Sequence, residues 1–509
     1  MATPGELLAK SLEVMRTVQQ EGIIRSSDMP RIHRERLLKA GFLQEIIKGW
    51  LLAKDPALRE GDSTPWYASF WSFARSYLGE RFGDEYCLSQ ESSVKIHTGS
   101  TAIPKQLVVI TKGKGTQLLQ LPFETSLFMY QNKKNFPTER VKLNGLWIMD
   151  LPTVLCRLQP ASFKNDPTDT EIALRMVRDA SPLLHILLEG GNTAIASRLA
   201  GAYKFLDEEE MANRIVKGME AAGYKIRLSN PFERDAPAFT GGTRIISPYV
   251  SRIEALWKSM REDVLAVFPK APGMPKDPEK YLRKIDKIYV SDAYNSLSIE
   301  GYEVTAGLIE RVRDGRWNPE NIQDRQQRDA LAAKGYSLAF KSVEESIRKI
   351  LSGNNPGEVV SVDHHEWYAQ MFSPSVQAGI LKPSDLAGYR NGQVFIKGSK
   401  HVPLPKEAVL DCMETLLGLL KEEQDASVRA VLGHFIFVFI HPYMDGNGRM
   451  GRFLMNAMLA SGGYPWTVIR LARRELYMSA LEEASVHGRI KPFAEFIKEE
   501  LAGGAIGRL

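Results

Sequence analysis

The sequence predicts a multidomain protein with an N-terminal winged helix, a mixed α/β middle domain and a mainly α-helical C-terminal half carrying one exposed β-hairpin. Three observations predict it. A helix, a second helix and a hairpin follow one another within the first 60 residues. Strand-like alternation is interleaved with helical periodicity between residues 61 and 228. A stretch rich in Pro, Gly and Thr, residues 229–250, reads as a linker and gives way to helical periodicity over residues 251–509. At 509 residues the chain is too long for one ordinary core.

Composition sets further bounds. With 44% hydrophobic and 25% charged residues the chain is a globular type. A net charge of +5 provides no global basic field, so nucleic-acid binding would need a local patch. Cys87, Cys156 and Cys412 are scattered and form no CxxC pair, which argues against a disulfide framework or a zinc site. The start, "MATPGELLAKSLEVM", lacks the features of a signal peptide. No apolar run approaches the ~20 residues of a membrane span. The expectation is a reduced, cytoplasmic protein with no membrane partner.

Residues 1–60 open with a helical stretch from Glu6 to Gln20. In "IIRSSDMPRIHRERLLKAGFLQEIIKGWLLA", Ser26 or Ser27 is placed to cap a short helix, and Pro30 to open another that Gly41 ends. "LQEII", a Lys48-Gly49 turn and "WLLA" read as the wing hairpin. The second helix would display Arg31, Arg34, Arg36 and Lys39, the best candidate in the chain for DNA phosphate contacts. A solvated face or a protein-contact module fits the same residues. Further on, "KQLVVITKG" and "VKLNGLWIMD" look like strands, while "SFWSFARSYLGERFG" and "TEIALRMVRDASPLLHILLEGG" look helical. In order of elements, and in the phrase "LLKAGFLQEIIKGW", residues 1–228 resemble AbiEi-type regulators and antitoxins, which join a winged helix to an α/β domain.

Chemistry concentrates in "HPYMDGNGRMGR", His441 to Arg452. The preceding "RAVLGHFIFVFI" fits either a strand or a fully buried helix. "DGNG" is a turn, and "RMGRFLMNAMLA" has a helical pattern. A Gly-rich turn that empties into a helix N-terminus offers free N–H groups and the positive dipole end to an anion, usually phosphate. Arg449 and Arg452 lie three apart on one face of the first turn, able to fork onto neighbouring phosphates. Asp445 makes sense beside phosphates if a divalent metal intervenes. His441, at the mouth of the turn, can accept a proton near neutral pH.

This motif resembles the Fic family signature, His-Pro-Phe-x-Asp/Glu-Gly-Asn-Gly-Arg-x-x-Arg, with Tyr443 in place of Phe. The likeness covers residues 251–509. It implies a protein adenylyltransferase (AMPylation) with ATP as substrate and Mg²⁺ or Mn²⁺ as cofactor. His441 would take the proton of a Ser, Thr or Tyr hydroxyl, which attacks the α-phosphorus. Asp445 would hold the metal. Gly446, Asn447 and Gly448, including the Asn447 side chain, would stabilise phosphate charge, and Arg449 and Arg452 would grip the outer phosphates. Relatives that phosphorylate carry Lys where this chain has Gly448. "LAGYRNGQVFIKGSKHVPLP", residues 386–405, resembles the family's flap, a hairpin turning at Asn391-Gly392 whose Val394 and Ile396 would dock the target main chain. Tyr477 would approach the nucleobase.

"SLSIEG", Ser296 to Gly301, matches the inhibitory motif Ser/Thr-x-x-x-Glu-Gly/Asn of Fic proteins. It implies a helix near residues 291–301 in which Glu300 pairs with Arg452 and Gly301 ends the turn. A competing reading is a DNA-binding regulator whose Fic half senses nucleotide or removes AMP. The target protein, a partnership with DNA and a homodimer all stay open.

Overall fold

The computed structural model describes residues 3–57, 61–113, 115–232, 247–314 and 324–506. These fall into two units, Met1–Arg252 with Phe395–Val402, and Ile253–Val394 with Pro403–Leu509.

The first unit begins with the helix Pro4–Val18, closed by a reciprocal Thr3–Glu6 capping box. Strands β1 (Ile23–Arg25), β2 (Leu43–Ile47) and β3 (Trp50–Ala53) form an antiparallel sheet in the order β1-β3-β2, with the helix Arg31–Lys39 between β1 and β2. The short helix expected after Ser26 or Ser27 is absent. Ser26–Met29 form turns instead, and the preceding Ile23 and Ile24 pair with Leu52 and Leu51 as a strand. Pro30 caps the next helix rather than opening it.

Four more strands, β4 (Tyr86–Leu88), β5 (Gln106–Thr111), β6 (Gln117–Leu121) and β7 (Thr125–Gln131), make a mixed sheet in the order β4-β5-β7-β6. The β5–β7 pair is parallel. "VKLNGLWIMD" folds as two strands, Arg140–Leu143 and Leu146–Met149, because Asn144 and Gly145 both take positive φ (51° and 77°), as a tight hairpin turn needs. The helix Thr64–Phe82 packs Trp66, Phe70, Phe73 and Tyr77 into one cluster with Ile23, Trp50 and Leu52. Trp50 meets Phe73 edge-on at 5.5 Å between ring centroids. The winged-helix-like segment and the α/β segment therefore share a core and form one unit. Of the expected linker 229–250, residues 233–246 lie outside the described residues, and a helix already starts at Pro248.

The second unit is helical. Two successive helices, Ala426–Ile440 and Asn447–Ala460, form its centre. In the first every residue except Val438 is buried, and in the second every residue except Gly448. Asp425 settles the strand-or-helix ambiguity of "RAVLGHFIFVFI": its carboxylate caps the Ser427 and Val428 amides at 2.8 and 3.2 Å and starts a helix. The helix Pro278–Ile299 ends where Gly301 turns to φ +88°. Among the described residues no helix is long and apolar enough to cross a membrane.

Candidate active site

The loop His441–Gly446 joins the two central helices. His441 caps the first in a left-handed conformation, φ 56° and ψ 61°, with its N–H on the Phe437 carbonyl at 3.0 Å. Its Nδ1 lies 3.1 Å from the Val438 carbonyl. A carbonyl only accepts, so Nδ1 carries the proton and Nε2 is left as the basic nitrogen. Burial draws the imidazole pKa down to about 4, against the opposing pull of that carbonyl bond. The ring is neutral near pH 7, the form a proton acceptor needs.

Gly446 sits at φ +82°, and a Cβ there would come within 2.9 Å of the Phe372 ring, so both backbone and space demand glycine. Asn447 closes the loop: its Oδ1 accepts from the Tyr443 amide at 2.9 Å and its Nδ2 donates to the Tyr443 carbonyl at 2.8 Å. Its side chain thus clasps the loop. The hydroxyl that Tyr443 adds faces His365 Nδ1 at 3.3 Å, while its ring stacks on Tyr368 at 3.8 Å.

The two motif arginines are almost inaccessible, with Arg449 1% and Arg452 4% exposed. Arg449 lies between two aromatic faces, 5.2 Å from Tyr302 and 5.1 Å from Phe372. Ring faces attract a cation without using its N–H groups. Accordingly Arg449 Nε and Nη2 have no hydrogen-bond partner among the described residues, and the Asp445 carboxylate lies 3.5 Å away. Arg452 gives Nε to Ser296 Oγ at 2.8 Å, and Nη2 to the Ser296 carbonyl at 3.0 Å and Glu300 Oε1 at 2.7 Å. Its Nη1 is unpartnered among the described residues. A buried donor left unpaired costs about 1–3 kcal/mol. Three such groups converging at a helix N-terminus make an anion cradle.

Glu300 occupies that cradle. Its carboxylate packs on Gly448, where an added Cβ would collide with it and lie 3.2 Å from Arg452 Nη1. Burial alone would raise the Glu300 pKa, but Arg452 and then Arg449 hold it below the usual carboxylate range. Asp445, 66% exposed at its side chain, keeps one oxygen on the Gly446 amide at 2.6 Å. No cluster of three or more His, Cys, Asp or Glu able to hold a metal occurs among the described residues. Any ion here would rely on Asp445 and on ligand oxygens, a donor set that suits Mg²⁺.

Residues 363–459 match the Fic/DOC family model. This segment is similar to Fic domains. Similar proteins include "Protein adenylyltransferase Fic" of Nematostella vectensis, 27% identical over 42% of this chain and 47% of the relative. The protein of that name in Drosophila virilis is 30% identical over 43% of this chain and 42% of the relative. The chain thus spans less than half the length of these curated relatives. A solved structure of Fic-1 from C. elegans is 17% identical, with 63% of this chain and 92% of that chain covered and a TM-score of 0.38.

Other expected site residues lie elsewhere. Residues 386–405 form no strand, in correction of the expected flap hairpin. Gly392 does not adopt positive φ, and Val394 is buried. Instead Arg390 ties the segment to the loop His441–Gly446. Its N–H donates to the Pro442 carbonyl at 2.8 Å, and its guanidinium to the carbonyls of His441 and Gly392, each at 2.8 Å, and of Leu404. Ile396 belongs to the Phe395–Val402 segment, which is part of the first unit. Tyr477 is 1% exposed, with its hydroxyl on His434 Nε2 at 2.8 Å, so it supports the core beneath Arg452 rather than offering a face to a base.

On the helix Arg31–Lys39, Arg34 bonds the Ser26 carbonyl at 2.7 Å, and Arg36 bonds Ser11 and the Leu7 carbonyl at 2.8 and 2.9 Å. Only Arg31 and Lys39 reach fully into solvent, and Arg31 pairs with Glu35 at 2.6 Å. Sequence reasoning missed Arg390, Phe372, Tyr302 and Tyr336. "GYRNG" flagged a turn but not the clasp its arginine makes. The aromatic residues carry no local signal at all.

Proposed function

We propose that this chain is an autoinhibited protein adenylyltransferase that moves AMP from ATP to a Ser, Thr or Tyr hydroxyl of a target protein or of itself. The name of the curated relatives supports the reaction class. The observation that carries the reading is Glu300, seated on Gly448 and paired with Arg452 inside an anion cradle at the foot of His441.

With Glu300 withdrawn, Arg449 and Arg452 have free forks for the outer phosphates. The N–H groups at Gly446–Gly448 face charge that redistributes as the α-phosphorus is attacked. The target hydroxyl oxygen forms a bond to that phosphorus, its proton passes to His441 Nε2, and the bond to the bridging oxygen breaks to release pyrophosphate. Asp445 would hold a divalent ion, which when bound neutralises phosphate charge. With Glu300 in place, the space beside Gly448 is filled and Arg452 is already neutralised, so a triphosphate cannot settle in line. The inward bonds of Arg34 and Arg36 weigh against the DNA-binding alternative.

The test uses the full chain as wild type, Glu300→Gly, and Glu300→Gly with His441→Ala, incubated with a lysate and ATP labelled at the α- or the γ-phosphorus. Protein label is expected only from the α position, strong with Glu300→Gly and lost with His441→Ala. Label arriving from the γ position, or equal labelling by wild type and Glu300→Gly, would overturn the reading.

A further inference from the structure

Behind Glu300, a row of buried polar side chains leads away from Arg452 into the core. Arg452 Nε–H donates to Ser296 Oγ at 2.8 Å. Ser296 in turn interacts with the Tyr336 hydroxyl and eases its ionisation, against the burial that opposes it. The Tyr336 hydroxyl donates to Asp292 Oδ2 at 2.6 Å. All four side chains are buried: Asp292 is 5%, Ser296 2%, Tyr336 0% and Arg452 4% exposed. Arg452 donates to Ser296 and Tyr336 donates to Asp292, so the row ends on an acceptor. A carboxylate is such an end, whereas a hydroxyl or an amide could reverse the row.

Asp292, Ser296 and Glu300 succeed one another at four-residue intervals, so one face of the Pro278–Ile299 helix and its C-cap lines up three oxygen groups toward Arg452. Glu300 supplies the only carboxylate at hydrogen-bond distance from Arg452 among the described residues. When it withdraws, a buried guanidinium remains that needs both a fixed orientation and a nearby negative charge. Ser296 supplies the orientation through two contacts, and Asp292 supplies the charge one helical turn further back.

We propose that Asp292, acting through Tyr336 and Ser296, is a positioning residue that keeps the Arg452 guanidinium aimed at the outer phosphates of a nucleoside triphosphate after Glu300 has left. The inference rests on the reading of Arg452 as a phosphate-gripping group. It assigns the helix two opposed tasks: its last residue blocks the cradle, while its buried turns build it.

The experiment measures ATP and AMP binding calorimetrically on the full chain carrying Glu300→Gly, alone and combined with Asp292→Ala, Asp292→Asn, Tyr336→Phe or Arg452→Ala. Asp292→Ala and Tyr336→Phe are expected to weaken ATP by roughly tenfold, the scale of a charge-assisted hydrogen bond, and to leave AMP unchanged. Asp292→Asn, which keeps an acceptor without the charge, is expected to fall between. Adding Asp292→Ala to Arg452→Ala should cost nothing more. Equal losses for ATP and AMP would reduce Asp292 to a structural role, and unchanged ATP affinity in Tyr336→Phe and Asp292→Asn would end the proposal. Tyr336→Phe keeps the ring, so the test survives if Asp292→Ala fails to fold. If Arg452→Ala itself leaves ATP affinity intact, the phosphate-grip reading fails first, and that failure is visible separately.

Discussion

Two helices in this molecule carry clustered arginines, and they use them in opposite ways. On Arg31–Lys39 the guanidinium groups are either solvated or bonded to neighbouring carbonyls and hydroxyls. On Asn447–Ala460 they are buried, and three of their N–H-bearing nitrogens have no hydrogen-bond partner among the described residues. Charge density along the sequence does not separate the two cases. Desolvation does: a cation held out of water with idle donors is poised for an anion, whereas a solvated one has little to gain from binding one.

The largest expected effect lies on the buried side. In the Glu300→Gly background, His441→Ala should lower AMP incorporation by about a hundred- to ten-thousandfold, the range for losing a general base. Residual activity near the parent level would mean that another group takes the proton. Next, Glu300→Gly alone should raise incorporation on the order of a hundredfold, as a buried charge-assisted contact and a steric block vanish together. Initial rates at saturating ATP measure it.

Two carboxylates on one helix should then give opposite pH dependences of stability. Burial raises the Asp292 pKa to about 6, so its folded state loses stability as pH climbs from the ordinary value of 3.8 through about 6, and Asp292→Asn should flatten that window. For Glu300, burial opposes ionisation but Arg452 outweighs it and lowers the pKa. Its contribution is complete above the ordinary value of 4.5 and disappears as pH falls through the lower folded value. Denaturant titrations at several pH values separate the two.

On the solvated side the effects shrink. Arg36→Ala removes bonds to Ser11 and the Leu7 carbonyl and should cost about 0.5–1 kcal/mol, while Arg31→Ala should change nothing measurable. A loss for Arg31 equal to that for Arg36 would break the contrast. Smallest of all, kcat/KM of the Glu300→Gly protein should stay flat on its base limb from pH 8 down to about pH 5. The free imidazole titrates at about 4, and removing Glu300 takes away a charge that raises it.

How far the sequence could be read varies with the range of the interaction. The anion cradle was visible because its parts are neighbours: "DGNGRMGR" places glycines, a helix start and two arginines within eight residues. The Ser296–Glu300 pair was visible as a four-residue spacing ahead of that motif. The flap misled, since "RNGQVFI" has the pattern of a hairpin, yet Arg390 reaches across to the His441 carbonyl and also bonds the Gly392 and Leu404 carbonyls. The Asn447 side chain also clasps Tyr443, a contact that no local pattern announces.

The sequence alone determined the order of elements, the composition of the cradle and the chemistry each motif residue can perform, because these follow from bonded neighbours and helical periodicity. Only the tertiary structure decided which arginines lose their water, which nitrogen of His441 is left basic, and that Tyr302, Tyr336 and Phe372 gather around Arg449 and Arg452. Burial and ring contacts join residues far apart in the chain, and no local pattern encodes them.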